Sequence, residues 1–193
     1  MTRAFVFPGQ GSQSVGMGQV LAGAFPVAKH LFEEVDDALD QHLSKLMFNG
    51  PEEELTLTEN TQPALMAVSL AIMRVLESEG GIDLTNAGKF VAGHSLGEYS
   101  ALTAAKTFSI ADAARVLKAR GNAMQKAVPV GEGSMAALMG VDLDIAEEIA
   151  AEASAAGVCM AANDNAPSQI VISGATKAIE KAVEIAAEKG AKR

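Results

Sequence analysis

Apolar positions along this chain fall into two rhythms. Short continuous runs mark strands, and recurrences three and four residues apart mark helices. The run at residues 4–7 predicts a short buried strand, central to a parallel sheet. Residues 25–43 form an amphipathic stretch with Leu31, Val35, Ala38 and Leu39 on one helical face. Residues 48–59 are polar and predict a connection. Thr61 then reads as an N-cap with Pro63 in the first turn. Leu65, Val68, Ile72, Val75 and Leu76 mark the stripe of the helix that follows, ending near residue 79. A turn-rich segment, 80–88, leads to an apolar run closing at residues 90–92 and a helix over 96–106. Ser109 caps the next helix, whose stripe runs Ile110, Ala113, Leu117, Met124 and Ala127.

The pattern changes after a break at residues 129–133. Strands are expected at 135–139, 158–162 and 169–173, and helices at 143–155 (Asp142 near its cap) and 176–189, with a polar turn at 163–167. The order is β-α-β-β-α, one strand short of a ferredoxin-like unit, and the sequence stops where that strand belongs. The expected division is 1–129 and 130–193.

Candidate chemistry sits at the joints of this pattern. Gly93-His94-Ser95-Leu96-Gly97 places Gly-x-Ser-x-Gly between a strand and a helix, the setting of a nucleophile held on a strained turn. Ser95 stands at a helix N-terminus, where free N–H groups stabilise developing negative charge. In the 110–127 helix, Arg120 fills the step between Leu117 and Met124, so a guanidinium lies on the core-facing stripe. Its anionic partner is either an internal Asp or Glu or the carboxylate of a ligand; the third option is snorkelling to solvent. Gln62, at the start of its helix, points either into an interior cleft or to the surface. The loop Pro8-Gly9-Gln10-Gly11 permits close backbone approach but lacks the Gly-Lys-Ser/Thr of a phosphate loop. His30 and His42 read as surface or capping residues.

Bulk properties narrow the class. The 193 residues suit one domain, or a large one carrying a small one, with an aliphatic, Ala-rich core: 49% are hydrophobic and 4% aromatic. A formal charge of −9 argues against nucleic acid as the main partner. The single cysteine, Cys159, permits no internal disulfide and reads as a small buried residue. No signal peptide or membrane-length apolar run is present, so a soluble cytoplasmic protein is expected.

Four motifs occur in order: Phe7-Pro8-Gly9-Gln10-Gly11-Ser12-Gln13, Asn60-Thr61-Gln62-Pro63-Ala64, Gly93-His94-Ser95-Leu96-Gly97-Glu98-Tyr99 and Arg120-Gly121. Together they resemble the malonyl-CoA:acyl carrier protein transacylases of bacterial type II fatty-acid synthesis, over the whole chain. The resemblance implies an α/β hydrolase-like parallel-sheet core with an inserted ferredoxin-like subdomain, both incomplete at the C-terminus. It implies Ser95 as nucleophile, the backbone N–H groups of Gln10 and Leu96 as oxyanion hole, Arg120 on the malonyl carboxylate and Gln62 lining the pocket. His94 is structural, and Asn163 and Asn165 match a polar turn near the active-site mouth. Malonyl-CoA and acyl carrier protein are the implied partners, and no metal or cofactor is required. The family's general base is a histidine beyond the subdomain, whereas this chain holds only His30, His42 and His94. The expectation is an N-terminal portion of the enzyme, inactive by itself if nothing replaces that base.

Two other classes fit parts of the pattern. A serine esterase or acyl hydrolase uses the same elbow, but gives Arg120 nothing to do. A non-catalytic carrier-protein-binding module uses Arg115, Lys118 and Lys126 as a basic patch.

Overall fold

A computed structural model describes residues 3–129 and 131–191. The chain is α/β and divides between Ala127 and Val128 into two compact units.

In the first unit, β1 (Ala4–Phe7) and β2 (Phe90–Gly93) pair in parallel, with Phe7 opposite Gly93. Both strands therefore deliver the loops that follow them, one carrying Gln10 and one carrying Ser95, to the same end of the sheet. The expected buried central strand is only partly so: Phe7 is buried, but Val6 is 75% exposed. Among the described residues β1 pairs with β2 alone, so one side of the strand packs and the other does not.

Helices α1 (Gln19–Ala24), α2 (Pro26–Leu39), α3 (Leu43–Asn49) and α4 (Glu52–Thr56) fill the connection to α5 (Thr58–Ser78). The single helix expected over 25–43 breaks at Asp40, whose φ of 48° is left-handed. The polar connection expected over 48–59 is instead helical, anchored by the buried side chains of Leu46, Met47 and Leu55. Helix α5 begins earlier than expected. Leu57 is its N-cap, Thr61 is wholly buried and donates to the Leu55 carbonyl at 2.6 Å, and Pro63 lies inside the helix. The first half of α5 is buried all round, from Asn60 to Ala67, while Ile72 of the expected stripe is 46% exposed. So α5 is a central helix, packed against α2, α7 (Leu96–Ala104) and α8 (Ile110–Ala127), not one face of a surface helix. Leu65 and Met66 of α5 pack in one core with Leu31, Phe32 and Val35 of α2 and Leu117 of α8, each fully buried side chain stabilising by ~1.5–3 kcal/mol.

Before β2, α6 (Leu84–Ala87) is capped by Asp83, whose carboxylate accepts from the Thr85 N–H at 3.0 Å. Ser109 caps α8 as expected: its hydroxyl accepts from the Asp112 N–H at 3.0 Å. The α8 stripe ends sooner than expected, with Met124 46% exposed and Ala127 exposed.

The second unit runs β3 (Gly133–Met139), α9 (Leu143–Ala153), β4 (Cys159–Ala166), β5 (Gln169–Ala175) and α10 (Thr176–Glu188). Its antiparallel sheet has the order β3-β5-β4, the arrangement of a ferredoxin-like unit's first three strands. Leu138, Ile170 and Ile172 on one sheet face pack with Ile149, Ile179 and Ile185 of the helices. Asn163, Asp164 and Asn165, expected in a turn, belong to β4; pairing with β5 through two register shifts carries the strand to Ala166. No described helix is long and apolar enough to cross a membrane.

Candidate active site

The elbow is built from steric necessity. Ser95 has φ 53° and ψ −114°, a conformation that costs a non-glycine residue ~1–3 kcal/mol. A Cβ on Gly93 would run into the Gly97 carbonyl, and one on Gly97 would run into the Phe7 carbonyl. Only two glycines let the strand turn into α7 this tightly. Ser95 is the exposed N-cap residue of α7. The Gly97 N–H is taken by the His94 carbonyl at 2.9 Å and the Glu98 N–H by the Ser95 carbonyl at 3.1 Å. Leu96 contributes the first N–H of the helix, one that has no intrahelical acceptor.

The loop after β1 lies against this elbow. The His94 N–H donates to the Phe7 carbonyl at 3.3 Å, and a Cβ on Gly9 would stand 2.8 Å from His94 Nδ1. His94 thus flanks the β1 loop. Ser12 Oγ donates back to the Gly9 carbonyl at 2.9 Å, and Gln10 Nε2 reaches Thr58 Oγ1 at 3.3 Å. The Gln10 side chain is therefore tied to the first residue of α5, the helix that carries Gln62.

Helix α8 brings the cation. A Cβ on Gly121 would stand 2.5 Å from the Glu59 Cα and 2.7 Å from the Thr58 carbonyl, so α8 and α5 touch backbone to backbone there. One residue before that contact is Arg120, and one turn along α5 from Glu59 is Gln62. They meet: Arg120 Nη1 donates to Gln62 Oε1 at 2.6 Å, and Nη2 donates to Ser95 Oγ at 3.0 Å. The guanidinium carbon also lies 5.8 Å from the centre of the Tyr99 ring, in cation–π range.

No Asp or Glu forms an ion pair with Arg120 among the described residues. An internal carboxylate is thus not its partner. Among the described residues the guanidinium meets neutral groups, Gln62, Ser95 and the Tyr99 ring. Gln62, which the sequence left either buried or exposed, is completely buried.

Asn163 and Asn165 lie on β4 in the second unit. Cys159 is buried, and desolvation pushes its thiol pKa up. His30 and His42 are exposed, on α2 and at the N-cap of α3. The basic patch is largely spent on internal contacts: Arg115 pairs with Asp112 and donates to the Ala38 carbonyl, and Lys118 donates to Asn60 and pairs with Glu59. A cleft of about 580 Å³ in the first unit, lined by Arg74, Asp83 and Lys106 among others, shares no residue with the Ser95 site. Sequence reasoning missed Tyr99 and Met124 as parts of the site, although each stands four residues, one helical turn, beyond Ser95 and Arg120 respectively.

Known proteins place this geometry in a family. The description "Acyl transferase domain" matches residues 4–193. A malonyl CoA-acyl carrier protein transacylase of Bacillus subtilis strain 168 is 49% identical over 191 residues, covering 98% of this chain and 59% of the relative. The same-named protein of Escherichia coli K12 is 45% identical over 190 residues, covering 98% and 60%. Among solved structures, the acyl-carrier-protein-S-malonyltransferase of Bartonella henselae superposes with a TM-score of 0.93 at 61% identity, over 100% of this chain and 61% of that one. A malonyl-transacylase in complex with its type II polyketide acyl-carrier protein superposes at 0.90 with 44% identity, over 100% and 61%. The chain spans about three fifths of the length of the curated relatives it matches.

Proposed function

The chain belongs to the acyl transferase domain family, and we propose that it carries the nucleophile, oxyanion donors and carboxylate clamp of a malonyl-CoA:acyl carrier protein transacylase. The observation that carries this reading is the Arg120 guanidinium, held by neutral groups within hydrogen-bond distance of Ser95 Oγ. A free cation beside a nucleophile suits an acyl group that itself ends in a carboxylate. Planar, bidentate pairing is what arginine supplies and lysine does not.

In this mechanism Ser95 Oγ attacks the thioester carbonyl of malonyl-CoA while the Arg120 fork holds the distal carboxylate. The oxyanion that forms is met by the Gln10 and Leu96 N–H groups. Collapse expels CoA as its thiol and leaves a malonyl-serine ester. The pantetheine thiol of acyl carrier protein then attacks that ester and regenerates Ser95, a ping-pong sequence. Malonyl-CoA enters as substrate, no metal or organic cofactor takes part, and the setting is cytoplasmic. A general base must take the Ser95 proton; the resembled family supplies that base as a histidine beyond the subdomain, whereas the histidines here are His30, His42 and His94. The Ser95 hydroxyl oxygen meets Arg120. Loading by these 193 residues alone is therefore expected to be slow, by ~10²–10⁴ relative to a base-equipped enzyme.

An esterase acting on neutral acyl chains would leave the Arg120 charge without a partner in its complex. A non-catalytic carrier-binding module is disfavoured by the internal pairing of Arg115 and Lys118. The test is prolonged incubation with malonyl-CoA and acetyl-CoA together, followed by intact-mass measurement and peptide mapping. The expected result is a malonyl adduct on Ser95 in preference to acetyl, with the preference lost in Arg120→Ala. Equal loading of both acyl groups, or a preference that survives Arg120→Ala, sinks the reading.

A further inference from the structure

We propose that Met124 is a positioning residue for the carboxylate clamp, acting through Gln62; the inference deepens the reading of Arg120 given above and rests on it. Arginine has only donors, so the 2.6 Å contact with Arg120 Nη1 fixes Gln62 Oε1 on that side. The Gln62 amide nitrogen must then face the other way, and there it meets Met124 Sδ at 3.3 Å. Gln62 is completely buried, so its NH₂ group needs an acceptor from the protein. The thioether supplies one. Met124, by contrast, is 46% exposed, so burial of its side chain does not account for its place. It stands one turn beyond Arg120 on α8, and both residues grip opposite ends of one amide. The sulfur sets which end of Gln62 points inward, Gln62 aims Nη1, and the same planar fork presents Nη2 at Ser95.

A hydrocarbon of the same size at position 124 removes the acceptor and leaves the packing. Gln62 then gains a reason to swing its amide away, and the fork loses its alignment. A carbonyl on an unbranched chain restores the acceptor.

The test uses the full chain as wild type, Met124→Leu and Met124→Gln, each checked for an unchanged thermal midpoint. Two ligand-free NMR signals are followed: the Gln62 side-chain NH₂, assigned by its loss in Gln62→Met, and the Arg120 Nε–H. Met124→Leu is expected to speed solvent exchange of both by about threefold, the loss of one weak hydrogen bond, and Met124→Gln to restore them. Unchanged exchange in Met124→Leu overturns the proposal, as does failure of Met124→Gln to restore what Met124→Leu loses. A parallel titration compares malonate with acetate. Wild-type preference for malonate that weakens about threefold in Met124→Leu supports both ideas. No preference in the wild type, with the two NMR signals responding as expected, refutes the malonyl reading and leaves the Met124 assignment standing. A preference that persists in Met124→Leu with both signals unmoved does the reverse.

Discussion

The Arg120 guanidinium donates to the Ser95 hydroxyl oxygen at 3.0 Å, from a helix 25 positions further along the chain. That single contact joins two motifs that the sequence presents separately. The other Nη donates to neutral Gln62.

Arg120→Lys keeps the charge and removes the fork. Preference for malonyl- over acetyl-CoA in competitive loading of Ser95 is expected to fall by about tenfold, short of the complete loss in Arg120→Ala. Competitive acyl loading read by intact mass checks this. Full retention with lysine would show that the planar geometry is irrelevant.

The strain at Ser95 makes a stability prediction with an unusual sign. Ser95→Ala is expected to abolish loading but keeps a Cβ at φ 53°. Ser95→Gly is expected to abolish loading too, and it relieves the strain, so it is expected to be the more stable of the two by ~1 kcal/mol, even though glycine ordinarily costs stability. Denaturant midpoints of the two variants decide it; a less stable glycine variant would show that the elbow holds no strain.

Gly121→Ala drives a Cβ into the backbone of Glu59 and Thr58, neither of which is the yielding end of a side chain. Parting α8 from α5 is expected to cost ~1–3 kcal/mol and to draw Arg120 from Gln62. The check is a lowered denaturation midpoint together with faster exchange at Arg120 Nε–H. A variant as stable as the parent would contradict the close helix contact.

Burial raises the pKa of the Cys159 thiol. A group whose folded pKa lies above its unfolded value stabilises the fold fully below the unfolded pKa, and loses that contribution as pH rises through the folded one. The native thiol is therefore expected to stay protonated at neutral pH and to react at least about tenfold more slowly with a disulfide reagent than the denatured chain does. Equal rates in both states would place the thiol at the surface.

Much of the site was legible because its rules are local. Gly93, Ser95 and Gly97 announce a strained turn by spacing alone, Ser109 announces a cap, and a cation at Arg120 is conspicuous among apolar neighbours. What failed was long-range. Asn60, Thr61 and Gln62 look like the polar start of a surface helix, yet all three are buried. Partners outside their own helix satisfy them: Asn60 bonds with Gln41, Lys118 and the Glu54 carbonyl, Thr61 with the Leu55 carbonyl, Gln62 with Arg120 and Met124. Periodicity weighs apolar side chains and is blind to such bonds. The helices α3 and α4 were hidden for a related reason, since a few buried contacts at Leu46, Met47 and Leu55 outweigh the polar character of residues 48–59. The polar end of β4 has the composition of a turn, and hydrogen bonding to β5, not side-chain character, holds it extended.

The most direct measurement is calorimetric titration of the Ser95→Ala chain, which lacks the candidate nucleophile, with malonyl-CoA and then acetyl-CoA, repeated after adding Arg120→Ala. The expected result is malonyl-CoA binding at least about tenfold more tightly than acetyl-CoA, with the difference erased when Arg120 is removed. Equal affinity for the two thioesters while Arg120 is present would contradict a carboxylate clamp at this serine.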